Sequence, residues 1–423
     1  MSNDDDNTCH MCTLATEMIL YIFTYLPAKD LTRCRRVCVR WKQIVDSVIK
    51  HDILWRDFCK NDFNSIYKSA RAKSRYGLRW QNIYRSLSLW PRLLQAKETR
   101  DEFASASCQM DEIWGFAILR DGIIGVQTFR GISYYDIDTL EPCEREFMIG
   151  DCLRYNENHH AAVVLGSHAH LLICRRIKKN PYYDASIVFN NVKTFILVDK
   201  EVYFVTMQDE IFGCDLDQNV LSSKFIKRMD ESVLTFGYTD RLQVLTMQRN
   251  IYSLVNQNLV LSCTLDENCN LLHQFKVYNL MEYMDWQVFF QWMHMLKQRF
   301  PDFIINDIIV IRQYGDIYFV GTNWGVLRIY YAPYTSGQLD IFHTQPMKQY
   351  NFMERSDCPV LSLSPIRQVD VLETKDGHTV LVAMPKKIAV LNFTHSFKRN
   401  SSVAMLPYSD VQKVKLLKIN DSV

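Results

Sequence analysis

Nowhere in the 423-residue chain does an uninterrupted apolar run approach 18 residues, so no membrane-spanning helix and no membrane partner are expected. The N-terminus, Met1-Ser2-Asn3-Asp4-Asp5-Asp6, is acidic and lacks the basic and then apolar regions of a secretory signal. An intracellular protein is expected, in the cytoplasm, the nucleus or both. There is no P-loop, no Gly-x-Ser-x-Gly elbow, no His-Glu-x-x-His and no Gly-rich dinucleotide turn. No catalytic residue and no cofactor is assigned.

Paired cysteine motifs are almost as scarce. Thirteen cysteines, an odd number scattered through apolar stretches, read as reduced thiols acting as small hydrophobes. The one Cys-x-x-Cys, Cys9-His10-Met11-Cys12, has no second pair at zinc-finger spacing, and structural zinc needs four ligands. His159, His160, His168 and His170 form the other suggestive group, with His168 and His170 on one face of an extended segment. No nearby carboxylate or cysteine completes an obvious metal shell there, so no metal site is assigned.

What is present points to a globular chain. Hydrophobic residues make up 48% and aromatics 13%, enough for a substantial core. The length fits one large domain with one or two small ones. Charge is unevenly spread: residues 1–100 carry 18 Lys/Arg against 10 Asp/Glu, and the remainder 31 against 37. The excess lies in residues 66–100, where Lys68, Arg71, Lys73, Arg75, Arg79, Arg85, Arg92, Lys97 and Arg100 are opposed only by Glu98. A basic helical stretch steers an acidic partner or simply forms a solvated face. No nucleic-acid partner is assigned.

Between Thr13 and Phe63 the apolar spacing is helical. Ile19, Ile22, Phe23 and Leu26 form one stripe, and Pro27 ends the helix that carries them. Asp30 is expected to cap a second helix over Leu31–Cys38, with a third from about Val39 to Val48. Three such helices are too small to bury a complete core alone. The segment therefore packs on the rest of the chain or offers its leftover stripe to a partner.

These residues resemble the F-box motif: Leu14-x-x-Glu17-x-Ile19-Leu20, then Phe23-x-x-Leu26-Pro27-x-x-Asp30-Leu31, Val37-Cys38-x-x-Trp41 and Leu54-Trp55-Arg56. Ala15 stands where that family usually has proline after the first leucine. The resemblance implies a small three-helix unit that docks on the Skp adaptor, and through it on the cullin and RING subunits of a ubiquitin ligase. It assigns adaptor contact to Leu14, Ile19, Leu20, Phe23, Leu26, Pro27, Leu31, Val37 and Trp41. Downstream, Trp80-x-x-Ile83-Tyr84 resembles the helical linker that follows the F-box in several members, and a stiff linker would set the separation of two domains.

From about Phe103 the pattern changes to short runs of Val, Ile, Tyr, Phe and Thr between turns. A hairpin unit recurs at Asp121, Lys200, Asp240, Gly315 and Asp376, with gaps of 79, 40, 75 and 61. A period near 40 fits if two weaker units lie near Ser167 and between Leu259 and Asp302. Four strands per roughly 40 residues is the β-propeller signature, and ring closure removes exposed sheet edges. Seven blades are favoured; six and eight stay open. The WD-repeat resemblance is by period and strand pattern, since there is one Gly-His (Gly377-His378) and no Trp-Asp.

The expected fold is thus a multidomain α+β chain. An acidic, disordered tail (1–12) precedes the F-box (13–58) and a helical linker (59–100). A propeller (101–400) with a helical insertion at 279–300 follows, then a tail or closing strand (401–423). A protein substrate would bind the propeller. Arg175, Arg176, Lys178 and Lys179 are candidates for it, because arginine pairs grip phosphate bidentately. Phe289 and Trp292, in the Met- and aromatic-rich insertion, are candidates as an adaptable apolar surface. The reading is a non-catalytic substrate receptor; the alternatives are a propeller scaffold that holds the adaptor without promoting turnover, and a propeller enzyme or small-ligand binder.

Overall fold

The computed structural model describes residues 14–75, 77–104, 112–119, 122–147, 150–176, 183–238, 241–248, 250–264, 308–333, 339, 344–352 and 365–396. Six α-helices open the described chain: α1 (Thr16–Thr24), α2 (Ala28–Cys34), α3 (Val39–Val48), α4 (Asp52–Asp62), α5 (Tyr67–Ala72) and α6 (Trp80–Leu89). A 3-10 turn, Trp90–Gln95, leads into the strands. No helix among the described residues is long and apolar enough to cross a membrane.

Helix α2 begins earlier than expected. Pro27 takes the cap position with φ −57° and ψ 151°, and its carbonyl accepts the N–H groups of Asp30 and Leu31. Proline has no N–H to leave unsatisfied at a helix start and already holds a suitable φ. Asp30 therefore lies inside the first turn, where a carboxylate is favoured by the helix dipole and here pairs with Arg33. The third helix starts at Val39 as expected, with the Cys38 sulfur accepting the Trp41 N–H at 3.4 Å.

Among the described residues twenty-four strands follow, in six four-stranded antiparallel sheets. The first blade is β2 (Ile113–Ile118), β3 (Ile123–Thr128), β4 (Gly131–Asp136) and β5 (Pro142–Phe147). The second is β6 (Cys152–Glu157), β7 (Ala161–Gly166), β8 (Leu171–Arg176) and β9 (Tyr183–Phe189). The third is β10 (Val192–Val198), β11 (Glu201–Thr206), β12 (Glu210–Asp215) and β13 (Ser223–Arg228). The fourth is β14 (Val233–Tyr238), β15 (Leu242–Thr246), β16 (Asn250–Val255) and β17 (Asn258–Thr264). The fifth is β18 (Ile308–Tyr314), β19 (Ile317–Thr322), β20 (Val326–Tyr331) and β21 (Lys348–Asn351).

The last sheet closes the series. It joins β22 (Gln368–Glu373), β23 (Gly377–Met384) and β24 (Lys387–Thr394) to β1 (Lys97–Ala104), in the order β1-β24-β23-β22. Strand β1 runs antiparallel to β24 from Lys97 opposite Thr394 to Ala104 opposite Lys387. One sheet thus holds the first and the last described strands, which is how a ring of consecutive sheets loses its free ends. Closure by β1 moves the start of the strand domain from 101 to Lys97. The other expected closing segment, 401–423, lies outside the described residues, as do 1–12.

The first four blades begin at 113, 152, 192 and 233, steps of 39, 40 and 41 residues. Each recurring hairpin read from the sequence is the inner pair of one sheet, and the weak unit near Ser167 is β7–β8. The seventh unit, placed between Leu259 and Asp302, overlaps β17 and otherwise lies outside the described residues, together with the insertion at 279–300. Apolar clusters join successive sheets: Ala117 and Tyr134 with Val164 between the first and second, Val163 and Ile173 with Phe195 between the second and third, Val205 with Phe236 between the third and fourth. The largest cluster runs from Ile19 and Trp55 of the helices through Trp90 and Leu93 into Tyr314 and Phe319 of the fifth blade and Val380 of the closing one.

Candidate functional site

The helical module packs its stripe inward. Ile19, Phe23 and Leu31 are fully buried, and Leu14, Leu20, Leu26 and Trp41 are half-buried against the same core. Phe23 meets Trp41 edge-on at 5.2 Å between ring centroids. Of the nine residues assigned to adaptor contact, only Pro27 and Val37 stand exposed. A different set faces outward: Met18, Tyr21 and Tyr25 along one side of α1, with Val37 and Val39 flanking the start of α3. Tyr21, Tyr25 and Val37 are 60%, 70% and 62% exposed. Tyr25 donates its hydroxyl to that of Tyr21 at 2.7 Å, so the two rings stand as one unit.

Spacing could have revealed this second face. Positions 18, 21 and 25 repeat at three and four residues, as do 19, 23 and 26, and the two stripes share one short helix. Sequence cannot say which stripe the rest of the protein covers. Their exposure is unusual: large apolar side chains left grouped on a surface mark an interaction site, and each is worth about 1.5–3 kcal/mol once buried.

A second constellation fixes this module to the strand domain. Glu373 at the end of β22 is fully buried, and its carboxylate accepts the Ser86 hydroxyl of α6, the Trp90 Nε1–H at 3.0 Å and a contact from His378 Nδ1 at 2.9 Å. Trp90 stacks on His378 with centroids 3.8 Å apart. Burial pushes the Glu373 carboxyl up, but His378 and the hydrogen bonds from Ser86 and Trp90 outweigh it and hold the group below its usual range. Asp370 is likewise buried and held low, because Lys73 of the α5–α6 connection and Arg312 of β18 both pair with it. The backbone joins in, with a parallel bridge between Ser74 and Glu373 and the Glu373 N–H donated to the Lys73 carbonyl at 2.8 Å.

Part of the basic run is taken up here. Lys73 pairs with Asp370, Arg75 with Asp138 and Arg85 with Asp376, so the acidic surface met by these side chains is the chain's own strand domain. Arg71 lies over the Trp80 ring at 5.3 Å. Ile83 and Tyr84 of the linker motif are buried, and the Tyr84 hydroxyl donates to Asp62 at 2.6 Å.

The remaining candidates distribute differently. Arg176 is half-buried and paired with the fully buried Glu157, which also binds Arg145 and the hydroxyls of Tyr134 and Tyr155. Arg175 donates to the carbonyls of Leu216 and Gln218. Both arginines are thus tied into the second and third blades, which differs from the solvent-facing phosphate grip that the run of charges suggests. Lys178, Lys179, Phe289 and Trp292 lie outside the described residues. His168 and His170 sit in the β7–β8 turn with rings 6.3 Å apart, and His170 Nδ1 contacts Asn190 at 2.7 Å. The described cysteines are all free. Burial pushes the thiol of Cys152 up to about 12 and those of Cys174 and Cys214 up to about 11, which keeps them protonated and inert.

Residues 12–61 match the F-box-like family. A search of curated proteins finds no match to the chain. Among solved structures it is similar to the Cps50 (Swd1) β-propeller domain of Myceliophteria thermophila, at 9% identity and TM-score 0.35, covering 67% of this chain and 82% of that one. It is also similar to the WD40 domain of Toxoplasma gondii coronin, at 9% identity and TM-score 0.42, covering 71% and 88%. The propeller assignment rests on the sheet order and closure described above rather than on these scores. The chain thus carries an F-box-like domain at residues 12–61, followed by a series of four-stranded sheets of β-propeller type whose last sheet takes in the first strand.

Proposed function

We infer that this protein is the substrate-recognition subunit of an SCF-type cullin–RING ubiquitin ligase. The helical module docks on the Skp adaptor, and the propeller binds the protein destined for ubiquitination. The protein itself carries out no chemistry. Transfer belongs to the RING subunit and its conjugating enzyme, and this chain raises the local concentration of a substrate lysine near them. One observation carries the reading: a segment matching the F-box-like family leaves Met18, Tyr21, Tyr25, Val37 and Val39 exposed while its other stripe is buried. The seam around Glu373 supports it, because a receptor works only if substrate and adaptor are held at a fixed separation.

Co-expression with the Skp adaptor tests docking, provided the substitutions fall on the outer face. Tyr21→Asp with Val37→Asp is expected to abolish co-purification while leaving the melting midpoint within a few degrees of wild type. Phe23→Asp buries a charge in the module's own core and is expected to unfold it, so its loss of binding carries no information. Wild-type chain that stays folded yet leaves the adaptor unbound overturns the assignment. Adaptor binding without slower turnover of any bound protein on loss of this chain would favour the non-degradative scaffold.

A further inference from the structure

The β6–β7 and β10–β11 turns belong to neighbouring blades and bring three metal-ligating side chains together. His159 and His160 come from the first turn and Asp199 from the second, and their ligand atoms all lie within 4.8 Å of one another. His160 Nε2 stands 3.2 Å from Asp199 Oδ1. Two ligands bound at about 2.0–2.1 Å to one tetrahedral Zn2+ are roughly 3.3–3.4 Å apart, so this pair already has the spacing of ligands to a shared ion. The imidazoles of His159 and His160 have centroids 3.8 Å apart.

Both turns are restrained by a single residue. Asn158 Oδ1 accepts the N–H groups of His160 at 2.8 Å and Ala161 at 3.1 Å, and its Nδ2 donates to the Asp199 carbonyl at 2.7 Å. The His160 carbonyl accepts the Arg176 N–H at 2.7 Å. Asp199 has φ +47°, a left-handed conformation that aspartate tolerates better than most residues and that completes the tight β10–β11 turn. Beside it, Lys200 is paired with Asp217 at 2.5 Å, so its ammonium is directed to another carboxylate. His159 and Asp199 are exposed and His160 half-buried, which leaves the group reachable from solvent.

We propose that His159, His160 and Asp199 form a divalent-cation site of the zinc class, bridging the second and third blades. Two imidazoles and one carboxylate suit a borderline first-row ion. Calcium and magnesium prefer all-oxygen shells, and copper(I) prefers thiolates or thioethers. Three protein ligands leave one tetrahedral position open at the surface, for water or for a donor side chain of a bound protein. The histidine pair is visible in the sequence, but the carboxylate is 39 positions away and arrives only through blade packing.

The test is titration of the full chain with Co2+, followed by its visible absorption, then competition with Zn2+. Cys9→Ser and Cys12→Ser are introduced throughout to remove the one Cys-x-x-Cys. One equivalent is expected to bind. Asp199→Asn, His160→Ala and His159→Ala should each weaken binding at least about tenfold. A His168→Ala, His170→Ala chain should bind as before. Metal-free melting midpoints identify any variant that fails to fold. Absence of stoichiometric binding, or affinity unchanged from the parent chain in the folded His159→Ala and Asp199→Asn chains, overturns the site.

Discussion

Glu373 shows how much rests on single buried groups. Its carboxylate is the common acceptor for Ser86, Trp90 and His378, two of them on the helical side and one on β23. Glu373→Ala leaves the Trp90 Nε1–H and His378 Nδ1 buried without that acceptor, while Ser86 keeps the Gly377 carbonyl at 2.8 Å. Each buried polar group left unpaired costs about 1–3 kcal/mol. Urea denaturation should register a loss of that order. Arg33→Ala removes an ion pair whose side chains are 62% and 47% exposed, and should change stability by less than about 1 kcal/mol. Equal effects at the two positions would mean that the seam contributes nothing special.

His395 gives this region a pH dependence. Burial first, then the charges of His378, Arg92 and Arg85, push its imidazole down to about 4. The folded state therefore disfavours a proton that the unfolded chain accepts near 6.5, so stability is full above that pH and declines as pH falls from 6.5 toward 4. His160, also lowered by burial, adds a smaller slope of the same sign. Glu373 and Asp370, held below their usual range, lose their contribution only at still lower pH. The melting midpoint should drop between pH 7 and pH 5, and His395→Gln should flatten most of that drop; an unchanged slope would show that His395 is not its source.

At the scale of elements, the third helix and the recurring hairpins met expectation within the described residues. Helix α3 starts at Val39 and the inner hairpins fall on the repeated units. The misreadings were local competitions. Asp30 and Pro27 both signal a helix start, and proline won because it needs no capping partner for an N–H it lacks. Strand β1 straddles the expected boundary between linker (59–100) and propeller (101–400), because Lys97–Ala104, Lys-Glu-Thr-Arg-Asp-Glu-Phe-Ala, is charged and reads as neither helix nor strand. Its charges suit an outer strand, where Glu102 pairs with Lys387 and Glu98 with Lys348.

The β18–β19 turn offers a test at this scale. Gly315 has φ +60°, and a Cβ there would come within 2.9 Å of the Ile66 Cδ1. The neighbour is the far end of a flexible side chain, so backbone strain should dominate. Gly315→Ala is expected to cost about 1 kcal/mol, and nearly the same in an Ile66→Ala background. Full recovery in that background would make the clash, not the left-handed turn, the reason for glycine.

For the whole molecule, the charge asymmetry finds its explanation. A basic segment and an acidic remainder attract each other, and Lys73, Arg75 and Arg85 realise that attraction across the seam. One apolar cluster spans helices, fifth blade and closing blade, so the two parts are built to unfold together. A chain shortened to begin at Lys97 keeps β1 but uncovers Tyr314, Phe319 and the buried Glu373. It is expected to bind a hydrophobic dye and to melt below the full chain; an unchanged midpoint would mean that the helices are accessory.

The sequence by itself determined the helical module, the linker motif and a strand repeat near 40 residues, because each is written in neighbours a few positions apart or in a regular period. Only the tertiary structure decided which stripe of α1 stays outside, that the last sheet takes in the strand Lys97–Ala104, and that Arg176 is held against the buried Glu157. It also decided that Asp199 meets the histidine pair. The physical reason is separation along the chain: Ser86 and Glu373 are 287 positions apart, and no local pattern marks one as the partner of the other. Burial is a property of the packed molecule, and it turns a stripe of apolar residues into either core or contact surface.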